Sequence, residues 1–167
     1  MSQPQIIEKP KFSVIGCQTS FISALSPDAN NTKVLGELWH QFIHRVAEVS
    51  NRIGKESYAV IFGKPKQERT HPHELQYIAG VPVSSIANIP AGMVSYTVPS
   101  STFAVFIHRG LIAKIGATIQ EIYQIWLPES PCVVSGPAEI ELYDHRFKLD
   151  REDSEMEYWI PIKPKCA

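Results

Sequence analysis

Two segments near the C-terminal end of the sequence carry carboxylates and aromatic rings at every second residue. In the first, AEIELYDHRF (138–147), strand alternation groups three side chains on one face: Glu139, Glu141 and Tyr143. In the second, EMEYWIPI (155–162), it groups Glu155, Glu157, Trp159 and Pro161. Carboxylates attract the charge of an organic cation, and rings attract its flat apolar body, so these residue types are suited to a cation-binding site if the face is concave.

The same alternation predicts how the two segments pair. Ile140, Leu142 and the even-numbered apolar residues of 156–162 should all cover helices, so the two mixed faces should coincide. A turn centred near Asp150 then places Glu141 opposite Trp159 and Tyr143 opposite Glu157. This pairing would bring Glu141, Tyr143, Glu157 and Trp159 together on one face, where they could line a site for an organic cation.

Two other roles for this face stay open. Glutamate is common on the outer face of a half-exposed hairpin, and the hairpin by itself favours this plain surface role. Alternatively, Glu141 or Glu157 could act as a base with Tyr143 as a proton donor, because their surroundings can give two neighbouring carboxylates different pKa values. In favour of a ligand, a partly buried carboxylate without an Arg or Lys partner is costly, and a cation would relieve that cost.

Other kinds of chemistry find little support. His40 and His44 lie four residues apart, but no HExxH motif accompanies them, so we expect structural histidines rather than a metal site. The cysteines are scattered and odd in number, which predicts reduced structural thiols at Cys17, Cys132 and Cys166. The sequence has neither a GxSxG elbow nor a P-loop, and we expect no catalytic nucleophile, metal or cofactor.

Composition and charge favour one globular domain. The chain has 167 residues, of which 44% are hydrophobic, enough to build a packed core. Sixteen Lys and Arg residues balance 17 Asp and Glu residues without a long basic run, so we expect no direct contact with nucleic acid. An apolar signal segment and a run of about 18 apolar residues are both lacking, which predicts a cytoplasmic protein without a membrane contact.

Hydrophobic periodicity predicts an α+β fold made of a duplicated unit. Amphipathic helices are expected from residue 33 to near Gly54 and from Ile112 to Trp126, the second ending at Pro128. Strands are expected at 11–16, 58–63, 75–83, 93–98, 102–109, 138–147 and 155–162, the fourth and fifth as a hairpin. This order predicts one domain, 1–167, with strand-helix-strand-strand repeats at approximately 10–90 and 91–164. A pocket is expected at their seam.

Four motifs in order resemble the GyrI-like effector-binding family. They are FAVFIHRG (103–110), IYQIWLP (122–128), IELYDHRF (140–147) and YWIPI (158–162), and the first half of the chain matches in the order of its elements. The family is found behind the DNA-binding parts of AraC-type and MerR-type drug-sensing regulators, and also as a stand-alone protein. Because about ten residues precede the first predicted strand, we expect a stand-alone member without a helix-turn-helix domain.

The resemblance implies a fold of two strand-helix-strand-strand units about a pseudo-twofold axis. It also implies a binding protein for amphipathic, cationic aromatic compounds. Lipophilic cations held by an acidic residue among aromatic rings are typical ligands, which implies Glu141 of the IELY motif as the acid, with Tyr143, Glu157 and Trp159 beside it. Trp126 is a further candidate, although packing of the helix is its favoured role. The alternatives are a hydrolase of reactive small molecules in the same pocket and a protein-interaction module of the gyrase-inhibitor type. A homodimer could form through an exposed sheet edge.

Overall fold

An antiparallel sheet of nine strands is the frame of the structure, a computed structural model that describes residues 3–165. β-branched and aromatic residues fill its strands, because these types pack well on a pleated surface. In chain order the strands are β1 (Gln5–Lys9), β2 (Phe12–Ile22), β3 (Ser57–Gly63), β4 (Glu74–Val83), β5 (Val94–Val98), β6 (Ser101–Arg109), β7 (Cys132–Val134), β8 (Ala138–Tyr143) and β9 (Glu155–Pro164). Their order across the sheet is β1-β6-β9-β8-β3-β4-β2-β5, with β7 paired to β9.

The sheet curls back on itself through continuous chain. β1 runs into β2, and β5 runs into β6, each across a corner of two residues. The β1–β6 and β2–β5 ladders share one register. Gln5 pairs with Val105, and Phe12, seven residues later, pairs with Val98, seven residues earlier than Val105. β1–β2 and β5–β6 therefore form a single bent antiparallel ladder that joins the two ends of the sheet.

The predicted hairpin of 93–98 with 102–109 is wrong. β5 pairs with β2, and β6 lies between β1 and β9. The continuous β1–β2 segment runs antiparallel to both strands and takes the hydrogen-bonding edge that the hairpin would have used. Two strands were not predicted: β1 lies in the segment before the first expected strand, and β7 lies in an expected loop.

Each face of the curled sheet buries its own apolar cluster. One cluster lies between the sheet and the helices and includes Phe42, Tyr77, Phe106, Ile122 and Ile160. The other cluster lies inside the curl and includes Val14, Tyr58, Phe103, Ile140 and Trp159. Because side chains alternate across a strand, consecutive residues of β8 and β9 enter different clusters.

Two helical segments cover the first of these faces. α1 spans Asn31–Arg45 and is followed by a 3₁₀ turn, Val46–Glu48, so the helix ends before the predicted Gly54. Asn51 and Gly54 have left-handed backbone conformations, with φ of 59° and 69°, which a continuing helix does not allow. The second segment matches its predicted start. It runs through a 3₁₀ turn, α2 (Ile115–Glu121), a π-helical turn (Ile122–Trp126) and α3 (Leu127–Glu129), and ends one residue after Pro128.

β8 and β9 pair one residue away from the predicted register. The observed pairs are Ile140 with Trp159, Glu141 with Tyr158, and Leu142 with Glu157. A change of one residue moves every side chain of one strand to the other face, so Glu157 and Trp159 lie on the opposite face from Glu141. The prediction assumed one apolar core under the helices, whereas the inside of the curl is a second core that takes Ile140 and Leu142.

A glycine pair lets the middle of the sheet curl tightly. Gly16 of β2 lies opposite Gly80 of β4. A Cβ atom added at Gly16 would lie 2.0 Å from the carbonyl oxygen of Ala79, and one added at Gly80 would lie 2.6 Å from that of Ile15. Both obstacles are backbone atoms, which cannot rotate away, so these positions require glycine.

Replacing Gly16 with alanine should therefore destabilise the fold. We expect G16A to lower the free energy of unfolding by about 1–3 kcal/mol, the usual cost of overpacking a core. The control is G36A on α1, where an added Cβ meets nothing within 4 Å. Alanine there should stabilise the protein by about 0.5–1 kcal/mol through helix propensity. Urea unfolding of both variants checks this, and equal effects would contradict the close approach of β2 and β4.

Three sequence expectations concern features outside this architecture. Cys17 is buried, and Cys132 is half-buried as a free thiol; Cys166 lies outside the described residues. Within residues 3–165, His, Cys, Asp and Glu side chains form no group of three or more suited to a metal ion. In the same part of the chain, no helix has the length and apolar character needed to span a membrane.

Candidate functional site

β8 lies near the centre of the sheet and presents two glutamates to the helices. It pairs with β3 on one side and β9 on the other, so that Glu141 lies between Ala59 and Tyr158. Glu139 lies two residues earlier on the same face, opposite Ile61 of β3. The site is therefore built on an interior strand of the sheet, with hydrogen-bonded neighbours on both sides.

Two tyrosine hydroxyls bind Glu141. Tyr77 Oη donates at 2.5 Å and Tyr143 Oη at 2.7 Å, both to Oε2 of the carboxylate. Trp39 Nε1 of α1 donates in turn to Tyr77 Oη at 2.9 Å. Tyr77 belongs to β4, where it pairs with Ile61 of β3, and its hydroxyl reaches Glu141 diagonally across β3, where the small Ala59 lies opposite Glu141. The hydrogen bonds that orient this carboxylate come from three elements: α1, β4 and β8.

The second oxygen of Glu141 is left open. Glu141 is only 5% exposed, and both of its hydrogen bonds end on Oε2. No hydrogen bond from residues 3–165 reaches Oε1, and the side chain borders a cavity. Among residues 3–165 no fully buried side-chain oxygen or nitrogen lacks a hydrogen-bond partner, so Oε1 is accessible from the cavity. A carboxylate oxygen that faces a mostly apolar cavity favours a ligand that brings positive charge or a donor.

Glu139 is bound by a different pair of tyrosines. Tyr123 Oη donates to Oε1, and Tyr158 Oη donates to Oε2. Tyr123 comes from the π-helical turn and Tyr158 from β9, so these bonds tie the second helical segment to the sheet. Each oxygen of Glu139 has one phenol partner.

Neither carboxylate has an ionic partner in the described part of the chain. Within residues 3–165, every salt bridge involves other side chains, and none reaches Glu139 or Glu141. Burial raises the pKa of both glutamates, while the tyrosine hydroxyls partly oppose the rise. The charge of Glu139 raises the pKa of Glu141 further. Burial is also the main reason for the raised pKa of the four tyrosines, which therefore stay protonated as donors.

A cavity of about 230 Å³ lies between the helical segments and the sheet, with both glutamates in its wall. Apolar side chains from both halves of the chain form most of the remaining lining: Phe21, Leu35, Ile61, Leu75, Ile115 and Ile119. Tyr123 and Tyr158 add aromatic rings beside Glu139. An apolar cavity with a few convergent polar groups is the usual form of a small-molecule site.

A smaller hollow of about 80 Å³ adjoins the first one on the α1 side. The two share Asn31, Leu35 and Glu141, and the second adds Trp39 and Tyr143. Glu141 therefore borders both spaces, with α1 residues between them.

Two of the predicted wall residues lie elsewhere. Glu157 accepts hydrogen bonds from Arg146 at 2.5 Å and from Trp159 Nε1 at 2.8 Å. Trp159 is 3% exposed and packs inside the curl of the sheet. Glu157 thus has the arginine partner that a cation-binding carboxylate was expected to lack, and neither side chain lines the cavity. Placing them beside Glu141 was wrong, because the prediction depended on the register of β8 and β9.

Trp126 also lies outside the cavity. Its ring packs edge to face on Phe106, with the centroids 4.9 Å apart, and it borders a separate hollow near Ser130 and Cys132. This contact gives it a packing role in the second helical segment. Of the predicted site residues, Glu141 lines the cavity, and Tyr143 borders the adjoining hollow and donates a hydrogen bond to Glu141.

Three tyrosines of this site were not predicted from the sequence, and no role was expected for Glu139. A signal was present, because Tyr77, Tyr123 and Tyr158 each occur within an apolar run or stripe, where a buried hydroxyl needs a partner. Glu139 and Glu141 are the matching acceptors on the helix-facing side. The register of β9 had to be known before these donors and acceptors could be matched.

Comparison with known proteins identifies a family and a curated relative that resemble this chain. The model of the GyrI-like small molecule binding domain matches residues 2–163. The chain is 32% identical over 161 residues to the transcriptional regulator BrlR of Pseudomonas aeruginosa, covering 95% of this chain and 54% of BrlR. The chain thus spans about half the length of this curated relative.

Solved structures share the fold at low identity. SAV2435 bound to tetraphenylphosphonium is similar with a TM-score of 0.74 and 16% identity, covering 97% of this chain and 94% of that one. The crystal structure of the EcmrR C-terminal domain gives a TM-score of 0.67 and 14% identity, covering 98% of both chains. These likenesses confirm the predicted α+β fold class. Since the family model covers nearly the whole sequence, the chain belongs to the GyrI-like small molecule binding domain family.

Proposed function

We propose that this protein binds amphipathic aromatic cations in the cavity at Glu141. The observation that carries the proposal is the open Oε1 of a 95%-buried carboxylate in an apolar cavity. Glu141 is the charge partner, and Tyr143 and Tyr77 hold its other oxygen in place. The similarity to SAV2435 bound to tetraphenylphosphonium supports this choice of ligand class.

The charge of the ligand follows from the free-energy cost of ionising Glu141. A carboxylate that is removed from water and has no cation beside it is expensive to ionise, so the free protein raises its pKa. A bound cation restores the missing partner and recovers that cost as binding energy. An anion in the same place would add a like charge, and a neutral compound would leave the cost unchanged.

The shape of the ligand follows from the lining. Phe21, Ile61, Ile115 and Ile119 offer apolar contacts, and Tyr123 adds an aromatic ring. Delocalised cations lose less hydration on burial than compact ammonium groups, and aromatic rings attract them. An aromatic cation with charge spread over its rings satisfies both requirements.

A thermal-shift experiment with probes of matched shape tests the proposal. Tetraphenylphosphonium and tetraphenylborate have the same four phenyl groups and opposite charges. A ligand at about 100 times its Kd stabilises by about 2.7 kcal/mol, which gives a shift of about 5–10 °C for a chain of this size. We expect the phosphonium, and N-methyl-4-phenylpyridinium as a smaller cation, to stabilise the protein.

Equal stabilisation by the phosphonium and the borate would contradict the charge partner. Stabilisation by neither cation would contradict the ligand class. Mass spectrometry of the recovered cation distinguishes binding from turnover, and an intact ligand is the expected result.

A further inference from the structure

The cavity contains two carboxylates, and a single positive charge would satisfy one of them. Glu139 and Glu141 both line it and lie on the same face of β8. Their Cα atoms are two strand residues apart, a distance of about 6.6 Å. The rigid pairing of β8 with β3 and β9 fixes that spacing.

Each carboxylate has its own set of hydroxyl donors. Tyr77 and Tyr143 bind Glu141, whereas Tyr123 and Tyr158 bind Glu139. The two glutamates therefore do not share a proton through a common hydrogen bond. They act as two separate acceptor sites on one wall of one cavity.

Within residues 3–165, no lysine, arginine or histidine forms a salt bridge with either glutamate. The titratable groups facing them are the four tyrosines, on the second helical segment, β4, β8 and β9, and each other. A monocation at Glu141 leaves Glu139 either protonated or charged and unpaired. A ligand with two charges at the right spacing neutralises both.

We infer that the cavity is suited to a flat aromatic dication whose two positive charges lie about as far apart as two residues of a strand. This inference rests on the proposed function and names its ligand class more narrowly. The size of the cavity agrees with it. At about 230 Å³ it is smaller than the sites of about 300–1,000 Å³ that hold drug-sized ligands, so two rings fit better than four.

Two probes of the same shape test the inference. Paraquat is a rigid biaryl with a quaternary nitrogen at each end, and N-methyl-4-phenylpyridinium has the same two rings with one such nitrogen. Isothermal titration at pH 8 should give paraquat a Kd at least about tenfold lower than that of the monocation, the effect of one further charge pair. Glu139→Gln should lower the affinity for paraquat to that for the monocation, and Glu141→Gln should lower the affinity for both compounds. Melting curves of the two variants establish that they are folded.

The pH dependence provides a second readout. Below the raised pKa values of both glutamates, the affinity for the monocation should rise about tenfold per pH unit, and that for paraquat more steeply, because two protons leave instead of one. Glu139→Gln should reduce the paraquat slope to that of the monocation.

The outcomes separate the two proposals. Equal affinities of the two probes for the unmodified protein, or a paraquat preference that survives Glu139→Gln, would overturn the dication inference and leave the cation site standing. If neither probe binds while tetraphenylphosphonium does, the dication inference also fails alone. If none of the three cations binds, both proposals fail.

Discussion

Replacing Glu141 with glutamine should weaken the binding of N-methyl-4-phenylpyridinium at least about 30-fold, a loss of about 2 kcal/mol or more. Glutamine keeps the shape of the side chain, and its carbonyl oxygen can still accept from Tyr77 and Tyr143. What it removes is the negative charge, and it places an amide N–H₂ where Oε1 faced the cavity. Isothermal titration at pH 8 measures the change.

Glu37→Gln is the matched control for this experiment. Glu37 lies on the exposed side of α1, and the same substitution there changes the net charge equally without touching the cavity. Its Kd should stay within about twofold of the unmodified protein, because exposed charges are well screened. Equal losses in both variants would mean that net charge, rather than the buried carboxylate, attracts the cation.

The double variant Glu139→Gln/Glu141→Gln should be more stable than the unmodified protein at pH 8 when no ligand is present. Burial raises the pKa of both carboxyl groups in the folded state, so folding favours their protonated forms. Their contribution to stability is fully present at low pH and is lost as the pH rises through the raised pKa values. Glutamine cannot ionise and avoids that loss. Melting temperatures from pH 4 to pH 8 should show a gap that opens with rising pH.

Glu74→Gln provides a control of opposite sign. The backbone N–H of Thr70 and the ammonium of Lys64 lower the pKa of Glu74 to about 2. Its ionised form stabilises the fold at neutral pH, and that contribution is lost as the pH falls toward this value. Glu74→Gln should therefore be less stable than the unmodified protein at pH 7, with a gap that narrows toward low pH. A double variant that behaves in the same way would contradict the assigned cost of burying Glu139 and Glu141.

Most of the fold could be predicted from local patterns, since the fold's elements have strong periodicity. The helix stripe from Leu35 to Phe42 and the strands around Ile61, Ile78 and Phe106 were placed within a few residues. The curl of the sheet could not be predicted, because it depends on which strands pair with each other across long distances in the sequence. The hairpin error at Pro99 has this cause: a short corner and a short turn look alike in sequence.

The candidate site shows the same limit more sharply. Glu141 and Tyr143 could be singled out from their spacing on β8 together with the family resemblance. The pairing with β9 could not, because Ile140 and Trp159 are as apolar as a helix-facing pair and fill a second core instead. Because the observed register differs from the predicted one by one residue, Tyr158 and not Trp159 pairs with Glu141. Tyr77 and Tyr123 come from distant elements, and only the folded chain brings their hydroxyls to the two glutamates.

The most direct test of the central claim is to measure the protonation of Glu141 itself with and without a bound cation. The δ-carbon signals of ¹³C-labelled glutamates report carboxyl titration by NMR, and the Glu141→Gln variant identifies the signal of interest. In the free protein, we expect the titration midpoint of Glu141 to lie above that of exposed glutamates. Saturating N-methyl-4-phenylpyridinium should shift this midpoint clearly to lower pH. A midpoint that the bound cation leaves unchanged would contradict the claim that the charge of Glu141 is the partner of the ligand.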